Sequence, residues 1–313
     1  MNFQNNIYIL KQLVKEHAFL IPISQHRNSD GTIYTEQFKQ NWEEKMNAFE
    51  RINLWEKTPG FDDRDPLQRE PYMIFIPTSN QEKPKGTILI AHGGGFTIRT
   101  GCEGPNIALY FHEKGYNTAI LTYRLFPYSR FDCIADMQRA IRMLRYKKDE
   151  LQITEKVIVM GFSAGGMLSA NCATHFDYGE TESEDPIQKQ SSRPDAAVVG
   201  YGAITGISFP RPFMMPEDYA HDMHGMNMKE RIYLAPEKHI DYDTPPLSDD
   251  GRFGMNLAKE LSDAQIPYEL HIFEGGIHGI GMADGENDLG MNVPHITHWG
   301  TLCDEWIQMH HLK

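Results

Sequence analysis

Gly161-Phe162-Ser163-Ala164-Gly165, followed by Gly166, forms a Gly-x-Ser-x-Gly pentapeptide. The apolar run Val157-Ile158-Val159-Met160 precedes it, and a helix-forming run from Met167 follows. A serine between a strand and a helix sits on a turn so tight that its neighbours must be small. Its hydroxyl then lies at the helix N-terminus, where the helix dipole favours negative charge. Those are the conditions for a serine that attacks a carbonyl carbon. A second run, His92-Gly93-Gly94-Gly95-Phe96, directly follows the apolar stretch Gly86–Ala91. Glycines let the backbone come close to a ligand and turn its N–H groups inward, as an oxyanion requires.

Attack by a serine also needs a base. His278, in Phe273-Glu274-Gly275-Gly276-Ile277-His278-Gly279, follows the apolar run from Pro267 to Phe273 and has glycines on both sides. None of the other 13 histidines of the 14 has that placement. The chain order serine, acid, histidine then calls for a carboxylate between 201 and 267 to orient the imidazole. Asp249 is the first candidate and Asp250 the second, with Asp241 and Asp243 behind them. His221 and His224 have H-x-x-H spacing but no third ligand and no H-E-x-x-H pattern, so no metal is expected. No cofactor motif stands out.

The elements that would position these residues can be read from periodicity. Residues 72–77, 86–92, 117–123, 156–160, 195–202 and 267–273 read as strands. Helical stretches lie between them: one opened by Pro105, one over Ala135–Lys147 with Ile134, Met137, Ile141 and Leu144 on one face, and one after Ser163. Alternation of this kind predicts an α/β fold, a mostly parallel central sheet covered by helices on both faces. Phe38, Trp42, Met46, Phe49 and Ile52 recur at helical spacing and predict an N-terminal helical extension over residues 1–55, packed on a domain of residues 56–313. Residues 177–194 are polar and mostly acidic and read as a solvated surface loop. Residues 205–240, rich in Pro, Met and His, read as a small cap or lid over the end of the sheet, with an irregular surface excursion as the other reading.

Composition narrows the function classes. The chain has 313 residues, 40% hydrophobic and 23% charged, an ordinary globular balance. A formal net charge of −13 argues against nucleic acid and anionic membranes as partners. The N-terminus has no basic segment ahead of an apolar one, and no run is long enough to span a bilayer, so the expected location is cytoplasmic. Cys102, Cys133, Cys172 and Cys303 are scattered, without CxxC spacing, and read as reduced thiols.

From about Leu54 to the C-terminus the sequence resembles the α/β-hydrolase esterases related to acetyl-xylan esterases and feruloyl-esterase-like proteins, of the hormone-sensitive-lipase type. The resemblance is carried by LWEKTPGFDD, ILIAHGGGF, LTYRLFP, VIVMGFSAGG, APEKHIDYDTPP and LAKELSDAQIPYELHIFEGGIHGIGMAD. It implies the α/β-hydrolase fold. It also implies that Ser163 attacks an ester, His278 moves the proton, Asp249 holds the imidazole, and the N–H groups of Gly94, Gly95 and Ala164 form the oxyanion hole. The implied substrate is a small ester, with short acyl groups such as acetyl on small sugars, and no cofactor. Arg124, in YRLFP, is expected to be a structural ion-pair partner.

The chain departs from this group after Pro246. About seven residues, the length of a short strand, are missing before the acid. Either a central strand is lost or Thr244-Pro245-Pro246-Leu247-Ser248 is drawn in to replace it. The first case favours a catalytically impaired binding protein, and a peptidase or amidase on the same fold is a further reading. The sequence leaves open whether the chain forms a homo-oligomer.

Overall fold

The computed structural model describes residues 49–62, 68–78, 84–96, 99–202, 204, 228–249, 254–276, 278–285 and 292–311. Its centre is an eight-stranded sheet in the order β1-β2-β4-β3-β5-β6-β7-β8. The strands are β1 (Glu50–Asn53), β2 (Tyr72–Ile76), β3 (Thr87–Ala91), β4 (Asn117–Thr122), β5 (Val157–Phe162), β6 (Ala196–Gly200), β7 (Leu247–Asp249) and β8 (Tyr268–Leu270). β1 pairs antiparallel with β2, and β2 with β4; every other pairing is parallel. The helices are α1 (Pro105–Glu113), α2 (Arg130–Tyr146), α3 (Lys148–Leu151), α4 (Ala164–Thr174), α5 (Met228–Tyr233), α6 (Gly254–Asp263), α7 (Pro294–Thr297) and α8 (Trp299–His311).

The strand pattern explains the layering. Every residue of β2 to β6 is buried, as expected of strands covered on both faces. Successive side chains alternate between two cores. Leu89, Ala91, Val157 and Val159 face a core shared with Met137, Ile141 and Leu144 of α2, Leu168 of α4 and Leu257 of α6. Ile88, Ile90, Ile158 and Met160 face a second core with Ile107 and Phe111 of α1 and Trp299, Trp306 and Ile307 of α8.

β1 corrects one expectation. The sequence places Phe49 and Ile52 on the helical stripe of the 1–55 extension, but Glu50–Asn53 form an edge strand in which only Ile52 is buried. A period of three or four over so few residues cannot be told from the inward position of a short strand, and pairing to β2 decides it. Phe38, Trp42 and Met46 lie outside the described residues. So does most of the 205–240 cap segment, of which α5 and a 3₁₀ turn at Pro236–Lys238 are described.

The departure after Pro246 also resolves. Leu247–Asp249 form a strand of only three residues, paired parallel to β6 on one side and to β8 on the other. The sheet therefore stays continuous, and the segment following Pro246 fills the place of the missing strand.

Arg124 is buried with Asp136. Its Nε and Nη2 donate to the Asp136 carboxylate and its Nη1 donates to the Pro59 carbonyl, so it is a structural ion pair as expected. α2 starts on a capping box in which Ser129 Oγ accepts from Asp132 N–H and the Asp132 carboxylate accepts from Ser129 N–H. Farther along α2, three arginines hold the acidic segment 177–194. Arg139 pairs with Asp185, Arg142 with Asp177, and Arg145 with Asp195 just beyond it. Arg142 and Arg145 also donate to the carbonyls of Gln190 and Ser191. The expectation of a solvated surface loop holds for Glu180, Glu182 and Glu184, which are exposed, whereas Asp177 and Asp185 are ion-paired to the helix beneath and Ser192 is fully buried.

Candidate active site

Ser163 stands between β5 and α4 at φ 52° and ψ −116°. This is a strained backbone for a residue with a Cβ, and strain of this kind concentrates where function holds it in place. The neighbouring glycines are required by close packing. A Cβ on Gly161 would lie 2.0 Å from the Gly165 carbonyl oxygen, and one on Gly165 would lie 2.0 Å from the Ala91 carbonyl oxygen. The Ser163 N–H donates to the Gly200 carbonyl at 2.8 Å, which ties the turn to the end of β6. Ala164 is the first residue of α4, so its N–H belongs to the positive end of that helix.

His278 meets the serine. Its Nε2 is 2.7 Å from Ser163 Oγ, across 115 residues of sequence. The imidazole is exposed and stands edge-on to the Tyr201 ring, with centroids 5.2 Å apart. The turn after it is fixed from beneath. Gly281 N–H donates to the Tyr201 hydroxyl at 3.1 Å, and Trp299 Nε1 donates to the Gly281 carbonyl at 3.2 Å. Burial pushes the Tyr201 hydroxyl well above its ordinary pKa, so it remains a protonated donor.

The glycine loop lies beside the serine at the end of β3. Gly94, Gly95 and Phe96 all have positive φ, at 119°, 60° and 60°. Gly93 is held at both ends. Its N–H donates to Glu103 Oε2 at 3.0 Å, and its carbonyl lies 2.7 Å from His92 Nδ1. A carbonyl can only accept, so Nδ1 carries the proton. Burial, with Arg99 nearby, pushes the His92 pKa well below the ordinary range, which keeps the ring neutral. Its face stacks on Tyr123 at 4.5 Å, and the Tyr123 hydroxyl donates to the His92 carbonyl at 2.8 Å.

Of the residues singled out in the sequence, Ser163 and His278 are brought into contact, and Gly93 packs against the serine. Asp249 ends β7, in register with Val199 of β6 and Leu270 of β8. Asp250, His221 and His224 lie outside the described residues. Among the described residues, no group of three or more His, Cys, Asp or Glu side chains could hold a metal ion. No helix among them is long and apolar enough to cross a membrane. Glu103 and Tyr201 were not anticipated. The one available signal was an acidic residue within Thr100-Gly101-Cys102-Glu103-Gly104, a short stretch after the glycines that is otherwise uncharged.

A serine at a strained strand-to-helix elbow, a histidine within hydrogen-bond reach and a glycine loop alongside, on this sheet, define an α/β-hydrolase of the serine esterase class. The BD-FAE family model matches residues 73–247, and the chain belongs to that family. It is similar to the acetyl ester-xyloside bifunctional hydrolase of Caldicellulosiruptor lactoaceticus, with 30% identity and a TM-score of 0.72 over 83% of this chain and 96% of that one. A thermophilic esterase of Thermogutta terrifontis, 22% identical with a TM-score of 0.64 over 84% of this chain and 94% of that one, shares the fold. Endo-1,4-beta-xylanase B of Butyrivibrio fibrisolvens is 26% identical over 231 residues, which is 68% of this chain. The match spans only 35% of that longer protein.

Proposed function

We propose that the protein hydrolyses short acyl esters, acetyl esters of small sugars in particular, through an acyl-enzyme on Ser163. The 2.7 Å contact between Ser163 Oγ and His278 Nε2 at the elbow carries this reading. In the first half-reaction Ser163 Oγ attacks the ester carbonyl while His278 takes its proton. The tetrahedral oxyanion is held by the N–H groups of Gly94, Gly95 and Ala164. Its collapse expels the alcohol, which receives the proton from His278. A water then repeats the attack with His278 again as base, releasing the acid and restoring the serine. Asp249 holds the imidazole in its working tautomer and balances the imidazolium that forms.

The choice of an acetylated sugar is supported by the relatives. One acts on acetyl esters and xylosides by its description, and another is described as a xylanase. The test joins labelling to turnover. A fluorophosphonate should give one adduct, on Ser163, absent from Ser163→Ala. The wild type should hydrolyse p-nitrophenyl acetate and release acetate from acetylated xylo-oligosaccharides. A folded chain that is neither labelled nor active overturns the mechanism. Activity on the aryl ester alone overturns the choice of substrate.

A further inference from the structure

Glu103 is a carboxylate with 1% exposure, in the turn that leads into α1. A buried carboxylate is costly unless donors surround it. Here two donors meet it. Glu103 Oε2 accepts the Gly93 N–H at 3.0 Å and the Thr100 hydroxyl. Its charge also reaches the Tyr201 hydroxyl and helps to keep it protonated. Tyr201 in turn accepts the Gly281 N–H at 3.1 Å and presents its ring to His278. Glu103 thus holds the glycine loop at the end of β3, and Tyr201, just after β6, holds the turn that carries the histidine.

The connection has a directional consequence at the glycine loop. Glu103 fixes the N–H of Gly93 and His92 Nδ1 fixes its carbonyl. The peptide from Gly93 to Gly94 is planar and trans, so anchoring the carbonyl on His92 turns the Gly94 N–H to the opposite side. The loop has three successive residues at positive φ and no side chains at Gly93–Gly95 to pack, so its own conformational preference is weak. Its orientation therefore depends on these two outside anchors. Donors for an oxyanion are effective because they are fixed before the charge develops.

We infer that Glu103 and Tyr201 are positioning residues for the two halves of the active site: through Gly93, Glu103 orients the oxyanion loop, and through Gly281, Tyr201 seats the turn that bears His278. The inference rests on the proposed serine mechanism. Glu103→Gln keeps the shape but turns one acceptor oxygen into a donor, against the Gly93 and Thr100 donors that meet the carboxylate here. Tyr201→Phe keeps the ring beside His278 and removes only the hydroxyl link.

The test measures p-nitrophenyl acetate kinetics, the affinity of a trifluoromethyl ketone that mimics the tetrahedral adduct, and thermal midpoints. Oxyanion donors act in the transition state, so kcat should fall while KM holds. Glu103→Gln should lose roughly 10- to 100-fold in kcat, with KM within about twofold and ketone affinity falling in step. Tyr201→Phe should lose about 3- to 10-fold in kcat, by the scale of one hydrogen bond. Wild-type kcat and ketone affinity in both variants, or a loss confined to KM, overturns the inference. If Glu103→Gln does not fold, Tyr201→Phe decides alone: a lower kcat at unchanged KM supports the inference and a wild-type kcat overturns it. A wild type that takes no fluorophosphonate label removes the serine mechanism and this inference together. A labelled, active wild type with unaffected variants removes this inference only.

Discussion

Gly93 and Ser163 are packed so closely that a Cβ on Gly93 would stand 2.9 Å from the Ser163 Cβ and 2.2 Å from Glu103 Oε2. The first distance is a collision with the nucleophile's own stem, and the second with the buried carboxylate. The Ser163 Cβ cannot swing away, and the Glu103 carboxylate, though it ends a side chain, is tethered by its own hydrogen bonds. Gly93→Ala should therefore move the serine, the loop or both. Kinetic measurements on p-nitrophenyl acetate should show a loss of about 100-fold, the scale of a lost oxyanion contact. Urea denaturation should show about 1–3 kcal/mol of destabilisation from overpacking. Wild-type kinetics in this variant would show that the glycine loop tolerates displacement.

His278→Gln separates chemistry from stability. The side chain is exposed and, among the described residues, meets Ser163 and the Tyr201 ring. Its removal should leave the thermal midpoint within about 2 °C, as exposed substitutions do. The value of kcat should fall by about 10³-fold or more, because the serine loses its base. A modest loss, within tenfold, would mean that another group accepts the proton.

The acid is tested by a pair of neighbours. Asp249→Asn should lower kcat by about 100-fold or more, since an imidazole without its carboxylate is held in the wrong tautomer. Asp250→Asn should stay within about threefold. Equal losses, or the reverse order, would assign the acid to a different residue.

His175 gives the protein a pH-dependent stability away from the active site. Burial lowers its pKa from 6.5 to about 4, with His239 and Arg130 adding to the effect. The two histidine rings stand 4.5 Å apart at the end of α4. In the folded chain His175 stays neutral down to about pH 4, whereas in the unfolded chain it takes up a proton near 6.5. The unfolded state therefore binds more protons between those values, and stability falls as pH drops through that window. Allowing for partial exposure, the loss is about 1–2 kcal/mol. Urea midpoints at pH 6.5 and 4.5 should differ less in His175→Gln than in the wild type. An unchanged difference would place the titration elsewhere.

The parts of the site that were legible in the sequence are those fixed by local rules. Gly161 and Gly165 have to be small because backbone oxygens lie 2.0 Å from where their Cβ atoms would be, and that requirement leaves a pattern in the sequence. The same is true of β2 to β6, whose continuous apolar runs record burial on both faces. Glu103 and Tyr201 were not legible, because their roles come from pairings across long stretches of chain with no periodicity to betray them. Glu50–Asn53 and Leu247–Asp249 were misread or left open for a related reason. Strands of three or four residues have too few positions to display a period, and only their partners define them. The acidic run at 177–194 reads as solvated, and Glu180, Glu182 and Glu184 are, but composition does not reveal the arginines of α2 that meet Asp177 and Asp185.

β7 and β8 have three residues each, and β8 is the margin of the sheet, with no fully buried side chain. His278 is delivered by the segment that leaves β8, whereas Ser163 follows β5 and is tied to the end of β6, strands whose every residue is buried. The two partners of one proton transfer thus rest on foundations of unequal strength. Regions with few buried contacts open at a lower free energy than the body of the fold. Warming should then detach the base from its serine before the sheet comes apart. Turnover should fade reversibly over a temperature range in which far-ultraviolet circular dichroism is still native, and amide hydrogens of Tyr268–Leu270 should exchange ahead of those in β3 and β5.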